Sequence, residues 1–424
     1  MFGFGVNWLF RTTHSHAAYL ISQASLFLAV AAVCAAFLLP ATPWRPVSYA
    51  AFALFACLDP MLNLYARFYM TDFLACLLFV AFLSCLCRAL RASWTGFLFW
   101  LPALAALITA AVFTRVAYML IAVLTILIAS VGAIWRRHRA LGRLTLALLL
   151  PPLAAVLLMV ANSAVFADRF PGERFLTKLS GVFLMGTFAP ALTAADFRAA
   201  GIAASDAEIE LLDLPNYDKR GVHIWGDDER SAQVLVKRHL GVTEEYTARM
   251  DSVCSAIVWS AVRRDPLAVA IVYANTLLMH FQPSHWLRHL DHELGLTRTL
   301  PQGFVDWANR VSSEPITSGI TTELSPALVA FRWFAPAYPL LLLAGLALAC
   351  WRLLAKQATV ASLLVSAGFV AVLATAPLYT VYVIPRYVIA AVFLGCVLYA
   401  DLAARLYGAL AAGRRINAAR PLAP

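Results

Sequence analysis

The sequence predicts an all-α polytopic membrane protein with about nine transmembrane helices and one large external, mostly helical loop domain. Of the 424 residues, 62% are apolar and only 13% are charged, whereas a soluble domain is about half apolar and a quarter charged. The apolar residues form long blocks, and a membrane helix needs about 20 of them. This composition excludes a soluble enzyme, a disordered protein and a nucleic-acid-binding domain.

Nine apolar blocks give the order of the predicted spans. They cover roughly 17–39, 46–63, 70–87, 96–113, 116–134, 144–165, 334–351, 358–379 and 385–408. The fourth and fifth blocks form one apolar stretch that is too long for a single span. Thr114-Arg115 interrupts this stretch, so we expect the chain to reverse its direction there.

The positive charges near the span ends predict the orientation of the chain. One set of short segments carries thirteen of the 33 Lys and Arg residues and only one acid, Asp401. Because short basic segments remain in the cytoplasm, this side is predicted to be cytoplasmic. With nine spans the C-terminus then lies inside and the N-terminus outside, with no signal peptide to carry it there. The cations are Arg45, Arg88, Arg91, Arg136, Arg137, Arg139, Arg143, Arg352, Lys356, Arg405, Arg414, Arg415 and Arg420.

The spans divide the chain into four predicted regions. About six transmembrane helices occupy 1–165, and three more occupy 334–408. Residues 166–333 form an external loop domain, because this polar stretch is long enough to fold by itself. Residues 409–424 form a short basic cytoplasmic tail.

Helix signals occur inside the loop domain. Helices are predicted to begin at Asp227, at Thr243 and at Asp265-Pro266, because Asp and Thr cap helices and Pro fits the first turn. Gly241 is the predicted end of the first of them. The apolar segment 266–281 is too short and too polar for a tenth span, so we expect a helix that lies in the outer interface.

Isolated charges lie at the predicted outer ends of the spans. They are Asp59, Arg67, Asp72, Arg115 and Arg386. Guanidinium groups match phosphate oxygens, and nearby acids can hold a divalent cation or act as a base. The alternative is that each Arg reaches the lipid headgroups or pairs with a neighbouring Asp. Asp59 by itself is typical of a helix cap before a proline.

Two further groups of residues have a functional and a structural interpretation. His280, His285, His289 and His292 lie in MHFQPSHWLRHLDHEL, where a spacing of four can chelate zinc and a solvated face is the alternative. The second group is aromatic and predicts either an interfacial belt or a sugar-stacking surface. It consists of Tyr65, Tyr69, Trp333, Tyr338, Tyr379, Tyr382 and Tyr387.

Four motifs follow one another along the chain. LDPMLNLYARFYMTDF contains Arg67 and Asp72, and ALITAAVFTRVAYMLI contains Arg115. ANTLLMHFQPSHWL contains His280, and VYVIPRYVIAAVF contains Arg386 and Tyr387. In this order the motifs resemble the GT-C superfamily of membrane glycosyltransferases, in the branch of the protein O-mannosyltransferases and the lipid A aminoarabinose transferase.

The resemblance implies a function and a set of roles. Such enzymes take a sugar from a polyprenyl-phosphate carrier on the periplasmic face of the bacterial inner membrane and pass it to a lipid, glycan or protein acceptor. Arg67, Arg115 and Arg386 would bind the carrier phosphate. Asp72 would be the candidate catalytic acid and, with His280, a candidate ligand of a divalent cation. His280 and Tyr387 would lie beside the sugar or acceptor.

The resemblance also predicts that one element is missing. The family places its catalytic base in the first external loop, after the first span. This chain opens at a segment that is similar to the family's second span, so we expect the first span and loop to be absent. Asp72 is then the best remaining acid.

Three other functions fit a polytopic protein with a large external loop. An O-antigen polymerase or ligase also handles lipid diphosphates and would move a whole repeat unit instead of one sugar. A lipid-linked sugar flippase would need charged or broken helices near the bilayer midplane, whereas the isolated charges here lie at span ends. A non-catalytic GT-C-like subunit fits the missing first loop.

Overall fold

The computed structural model describes residues 16–39, 43–66, 71–135, 141–166, 180–242, 247–288, 305–306, 309–310, 326–355 and 359–418. Within these residues all regular structure is helical, as the sequence predicts. The first helices are α1 (His16–Leu38), α2 (Arg45–Leu58), α3 (Pro60–Tyr65), α4 (Thr71–Arg91), α5 (Trp94–Thr114), α6 (Ala117–Trp135) and α7 (Leu141–Phe166).

Short helices follow, and three long ones complete the described chain. The short ones are α8 (Ser180–Phe188), α9 (Ala194–Ala199), α10 (Asp206–Leu211), α11 (Val222–Trp225), α12 (Ala232–Leu240), α13 (Ala248–Arg264), α14 (Pro266–Met279), α15 (Pro283–Arg288) and α16 (Pro326–Phe334). The long ones are α17 (Tyr338–Leu354), α18 (Val360–Tyr379) and α19 (Ile389–Ala418).

Eight helical segments of the described chain are long and apolar enough to cross a membrane. The chain is therefore a multi-pass membrane protein in contact with the lipid bilayer. These segments are Ile21–Leu38, Asp72–Arg91, Trp94–Thr114, Ala117–Trp135, Leu141–Ala161, Leu328–Leu354, Val360–Tyr379 and Pro385–Ala412. Thr114 ends α5 and Ala117 begins α6, so the helix is interrupted at the point where the sequence predicts a reversal.

The second predicted span, 46–63, differs from the structure. It consists of α2 with 14 residues and α3 with six, separated by the extended residue Asp59. Pro60 explains the break, because a proline keeps the preceding residue out of the helical region. At about 1.5 Å per residue α2 is about 21 Å long, shorter than the ~30 Å hydrocarbon layer.

The chain divides into two compact units. The first contains Met1–Ala155, Leu290–Val372 and Val388–Pro424, and the second contains Val156–His289 and Leu373–Tyr387. In the first unit, aromatic rings join four helices: Phe393 of α19 lies 6.0 Å from both Phe27 of α1 and Phe52 of α2. Phe27 also lies 5.8 Å from Phe73 of α4.

The second unit has its own apolar core, formed mainly by α8 and α13. Gly181 of α8 brings these helices together, because a Cβ atom there would lie 2.0 Å from the Asp251 carbonyl oxygen. Asp251 Oδ1 in turn accepts a hydrogen bond of 2.6 Å from the Gly181 N–H. Buried Asp196 holds the end of α13, since it accepts hydrogen bonds from Ser260 and Arg264.

The helix ends of this unit test the predicted caps. Gly241 ends α12 with φ +65°, which glycine adopts without steric penalty. Asp265 caps α14 by accepting a bond of 2.9 Å from Ala268 N–H. Both predictions are confirmed. α12 begins after Ser231, later than the predicted start at Asp227, and Thr243 lies outside the described residues.

Candidate functional site

Asp72 and Arg115, two of the predicted site residues, meet in the first unit. Asp72 is in the first turn of α4, and Arg115 follows the last residue of α5. Arg115 Nε donates to Asp72 Oδ1 at 2.6 Å. The Asp72 side chain is 6% exposed and the Arg115 side chain is 33% exposed, so the arginine side chain is partly accessible while the aspartate side chain is almost fully covered.

The local fold explains why these two charges meet. α4 and α5 pack along each other, and the helix ends place residues 72 and 115 at the same end of the pair. The N-terminus of a helix favours a negative charge, so Asp72 is also suited to its position in α4. Arg67, the third charge predicted here, lies outside the described residues.

Arg386 and Tyr387 lie in the second unit, in the 3-10 turn Pro385–Val388. The Arg386 guanidinium carbon lies 5.3 Å from the centre of the Tyr387 ring, a distance at which a cation is attracted to the aromatic face. Both side chains are half-buried. The motif therefore places a half-buried cation next to an aromatic ring.

His280 also belongs to the second unit and is fully buried at the end of α14. Its Nδ1 lies 3.0 Å from the Thr276 carbonyl oxygen. A carbonyl only accepts, so Nδ1 carries the proton and Nε2 is the unprotonated nitrogen. Burial lowers the pKa of His280 to about 4. His280 is thus a neutral imidazole at pH 7, and its Nε2 is a buried acceptor with no hydrogen-bond donor among the described residues.

Arg220 is a buried residue beside His280 that the sequence analysis did not identify. It is 1% exposed and makes no ion pair within the described part of the chain. Its NH1 donates to Thr276 Oγ1 at 2.7 Å, and its NH2 donates to the Val381 carbonyl at 2.6 Å. Burial lowers the pKa of Arg220 to about 10, so the guanidinium is charged at pH 7.

The contacts of Arg220 fix the chain just before the Arg386 motif. Tyr382, one residue after Val381, accepts a hydrogen bond of 3.2 Å from the Gly221 N–H and donates one of 3.2 Å to the Asp218 carbonyl. Three hydrogen bonds therefore connect residues 218–221 to residues 381–382. From the sequence, the only signal for this structural role of Arg220 is its position among other charged residues and turn-forming residues in YDKRGVHIWG.

The predicted histidine and aromatic groups lie in different surroundings. His285 lies on α15, whereas His289 and His292 are outside the described residues. Among the described residues no cluster of three or more His, Cys, Asp or Glu could hold a metal ion. Tyr65 and Tyr338 are buried, so an interfacial belt does not account for them. Asp59 accepts a bond of 2.8 Å from Leu62 N–H, which confirms its predicted role as a cap.

Comparison with known proteins identifies no relative. No family model, no curated protein and no solved structure matches the chain significantly. The resemblance to the GT-C superfamily is therefore a hypothesis that rests on the four motifs.

Proposed function

We propose that the chain is a glycosyltransferase of the bacterial inner membrane that takes a sugar from a polyprenyl-phosphate carrier at the periplasmic face. The contact between Arg115 and Asp72 carries this proposal. The two residues are 43 positions apart and belong to two of the four motifs that resemble the GT-C superfamily. Their side chains nevertheless form a hydrogen bond. The multi-pass helical fold and the partly accessible Arg115 side chain support the proposal.

The reaction needs charge stabilisation at a phosphate. The bond between the anomeric carbon and the phosphate oxygen breaks, and its electron pair leaves with the polyprenyl phosphate. The acceptor hydroxyl forms the new bond to the anomeric carbon and loses its proton to a base. Arg115 would bind the phosphate on which charge develops, which is an electrostatic role. Arg67 and Arg386 are the other candidates that the resemblance gives for this role.

We assign Asp72 as a positioning residue. Its carboxylate is almost fully covered and is occupied by Arg115, so it would fix the direction of the guanidinium rather than accept a proton from the substrate. At Asp72 a divalent cation would need further ligands, because among the described residues no cluster of three or more His, Cys, Asp or Glu could hold one.

The release of polyprenyl phosphate tests this proposal without knowledge of the sugar or the acceptor. Membranes that contain the full chain are incubated with a pool of undecaprenyl-phosphate-linked sugars, and free undecaprenyl phosphate is measured. We expect release, and we expect Arg115→Ala and Arg386→Ala to reduce it by about a hundredfold. A polymerase would release the diphosphate instead, and a flippase or a non-catalytic subunit would release neither.

Two control variants separate a functional from a purely structural ion pair. Asp401→Asn removes another buried carboxylate that accepts from an arginine, Arg352, in the same unit. Arg263→Ala removes an exposed arginine of α13. Both are expected to retain activity at equal protein level. Equal activity of Arg115→Ala and wild type would contradict the proposed site.

A further inference from the structure

A long apolar groove lies entirely within the first unit. Its volume is about 580 Å³, and it is lined by α2, α17, α18 and α19. The lining of α19 extends from Ala391 to Leu406, which corresponds to about 22 Å of helix. All three long helices are candidate membrane spans, so the groove has the length and the surroundings of a lipid chain.

The groove opens towards the outer surface of the bundle. Apolar side chains at its rim are largely exposed: Leu58 is 67% exposed, Leu406 57% and Phe334 55%. In a membrane such a surface faces the hydrocarbon of the bilayer. Lipid chains are as apolar as leucine, so burying one gives little hydrophobic gain. Any preference for one lipid must therefore come from a polar contact.

Asp59, which lines the groove, supplies that contact. Among the described residues that line the groove it is the only charged one. Its Oδ1 accepts from Leu62 N–H at 2.8 Å and from the Tyr338 hydroxyl at 3.0 Å. It makes no ion pair with a described Lys, Arg or His. An uncompensated carboxylate next to hydrocarbon is costly unless a cation pairs with it.

We propose that this groove binds a membrane lipid with a primary-amine headgroup, whose chain lies along α19 and whose ammonium group pairs with Asp59. The charge of Asp59 disfavours a lipid phosphate monoester in this groove, so the inference stands apart from the proposed sugar transfer. The ammonium–carboxylate contact determines which lipid headgroup binds. The apolar walls contact the acyl chain and do not distinguish one headgroup from another.

Native mass spectrometry of the full chain in detergent tests the proposal. The probes are phosphatidylethanolamine and phosphatidylglycerol with identical acyl chains. We expect retention of one phosphatidylethanolamine per chain, about fivefold above phosphatidylglycerol, which equals about 1 kcal/mol. Equal retention of both lipids, or of neither, would overturn the proposal.

Two pairs of variants locate the contact. Asp59→Asn removes the charge but keeps a good helix cap, so the preference for the amine lipid should vanish. Asp265→Asn is the matched control, because Asp265 also caps a helix before a proline. This control should leave the lipid preference intact. Ala403→Phe fills the groove and should reduce retention of both lipids, whereas Ala106→Phe, on an exposed position of α5, should not. A preference that survives Asp59→Asn, or retention that survives Ala403→Phe, refutes the assignment.

Discussion

Individual residues of the second unit combine burial with unusual protonation. Arg220 is a buried cation whose partners are a hydroxyl, two carbonyl groups and a sulfur atom. His223 and His280 are buried and neutral, because burial lowers the pKa of each to about 4. These groups make the stability of the unit sensitive both to substitution and to pH.

Arg220→Ala should destabilise the protein. The substitution leaves the Val381 carbonyl and the Thr276 hydroxyl without their donor, at a cost of about 1–3 kcal/mol for each buried group. Arg220→Lys keeps the charge but not the planar fork, so most of the loss should persist. Thermal unfolding of the two variants, with Arg263→Ala as the control, measures the effect. A Tm of Arg220→Ala equal to that of wild type contradicts the role given to this residue.

Stability should fall on acidification between pH 6.5 and 4. The folded-state pKa of His223 and of His280 is about 4, below the ordinary value of about 6.5. In this window the unfolded state binds more protons than the folded state. The contribution of each histidine to the free energy of unfolding is therefore complete above pH 6.5, and it declines by up to about 3 kcal/mol towards pH 4.

The Tm measured across this pH range tests the prediction, with His280→Leu as the comparison. The variant should show a shallower fall, because one of the two titrating groups is gone. Parallel curves for the variant and wild type would show that His280 does not titrate as its burial requires.

At the scale of elements, local signals predicted helix ends well and tertiary partners poorly. Asp59, Asp265 and Gly241 act where a cap or a glycine is expected, because these signals depend on a few neighbouring residues. The pairing of Asp72 with Arg115 was an open alternative, since it depends on how α4 packs against α5. Arg220 could not be found, because its partners at 276 and 381 are distant in sequence.

The contact between α8 and α13 predicts a sensitive glycine. Gly181→Ala should lower stability by about 1–3 kcal/mol, because the new Cβ atom would meet the backbone of Asp251 at 2.0 Å. Gly142→Ala is the matched control: its Cβ atom would meet only the Trp94 ring, at ordinary contact distance. Tm values of both variants test this. Equal Tm values for the two variants would mean that α8 and α13 can move apart without loss of stability.

At the scale of the whole molecule, composition was sufficient to predict the class, because bilayer thickness sets the length of an apolar helix. It did not predict the break within the second predicted span, 46–63, which Asp59 and Pro60 introduce. The predicted orientation follows from the positive charges alone. It places the loop domain and the Arg115 turn on the periplasmic side.

Reporter fusions test this orientation. Alkaline phosphatase inserted at the exposed residue Asp228 should be active in intact cells, because it folds only in the periplasm. The same enzyme fused after Pro424 should be inactive, and a fluorescent protein at that position should fluoresce. The opposite pattern would place Arg115 in the cytoplasm and remove the basis for a periplasmic site.

Binding of undecaprenyl phosphate to the full chain in phosphatidylcholine nanodiscs tests the central claim most directly, since it needs neither the sugar nor the acceptor. A phosphate held by Arg115 predicts saturable binding that Arg115→Ala weakens by about tenfold or more, the equivalent of about 1.4 kcal/mol. Asp401→Asn should bind like wild type. Binding that Arg115→Ala leaves unchanged, or no binding by wild type, would contradict the assignment of Arg115 to the carrier phosphate.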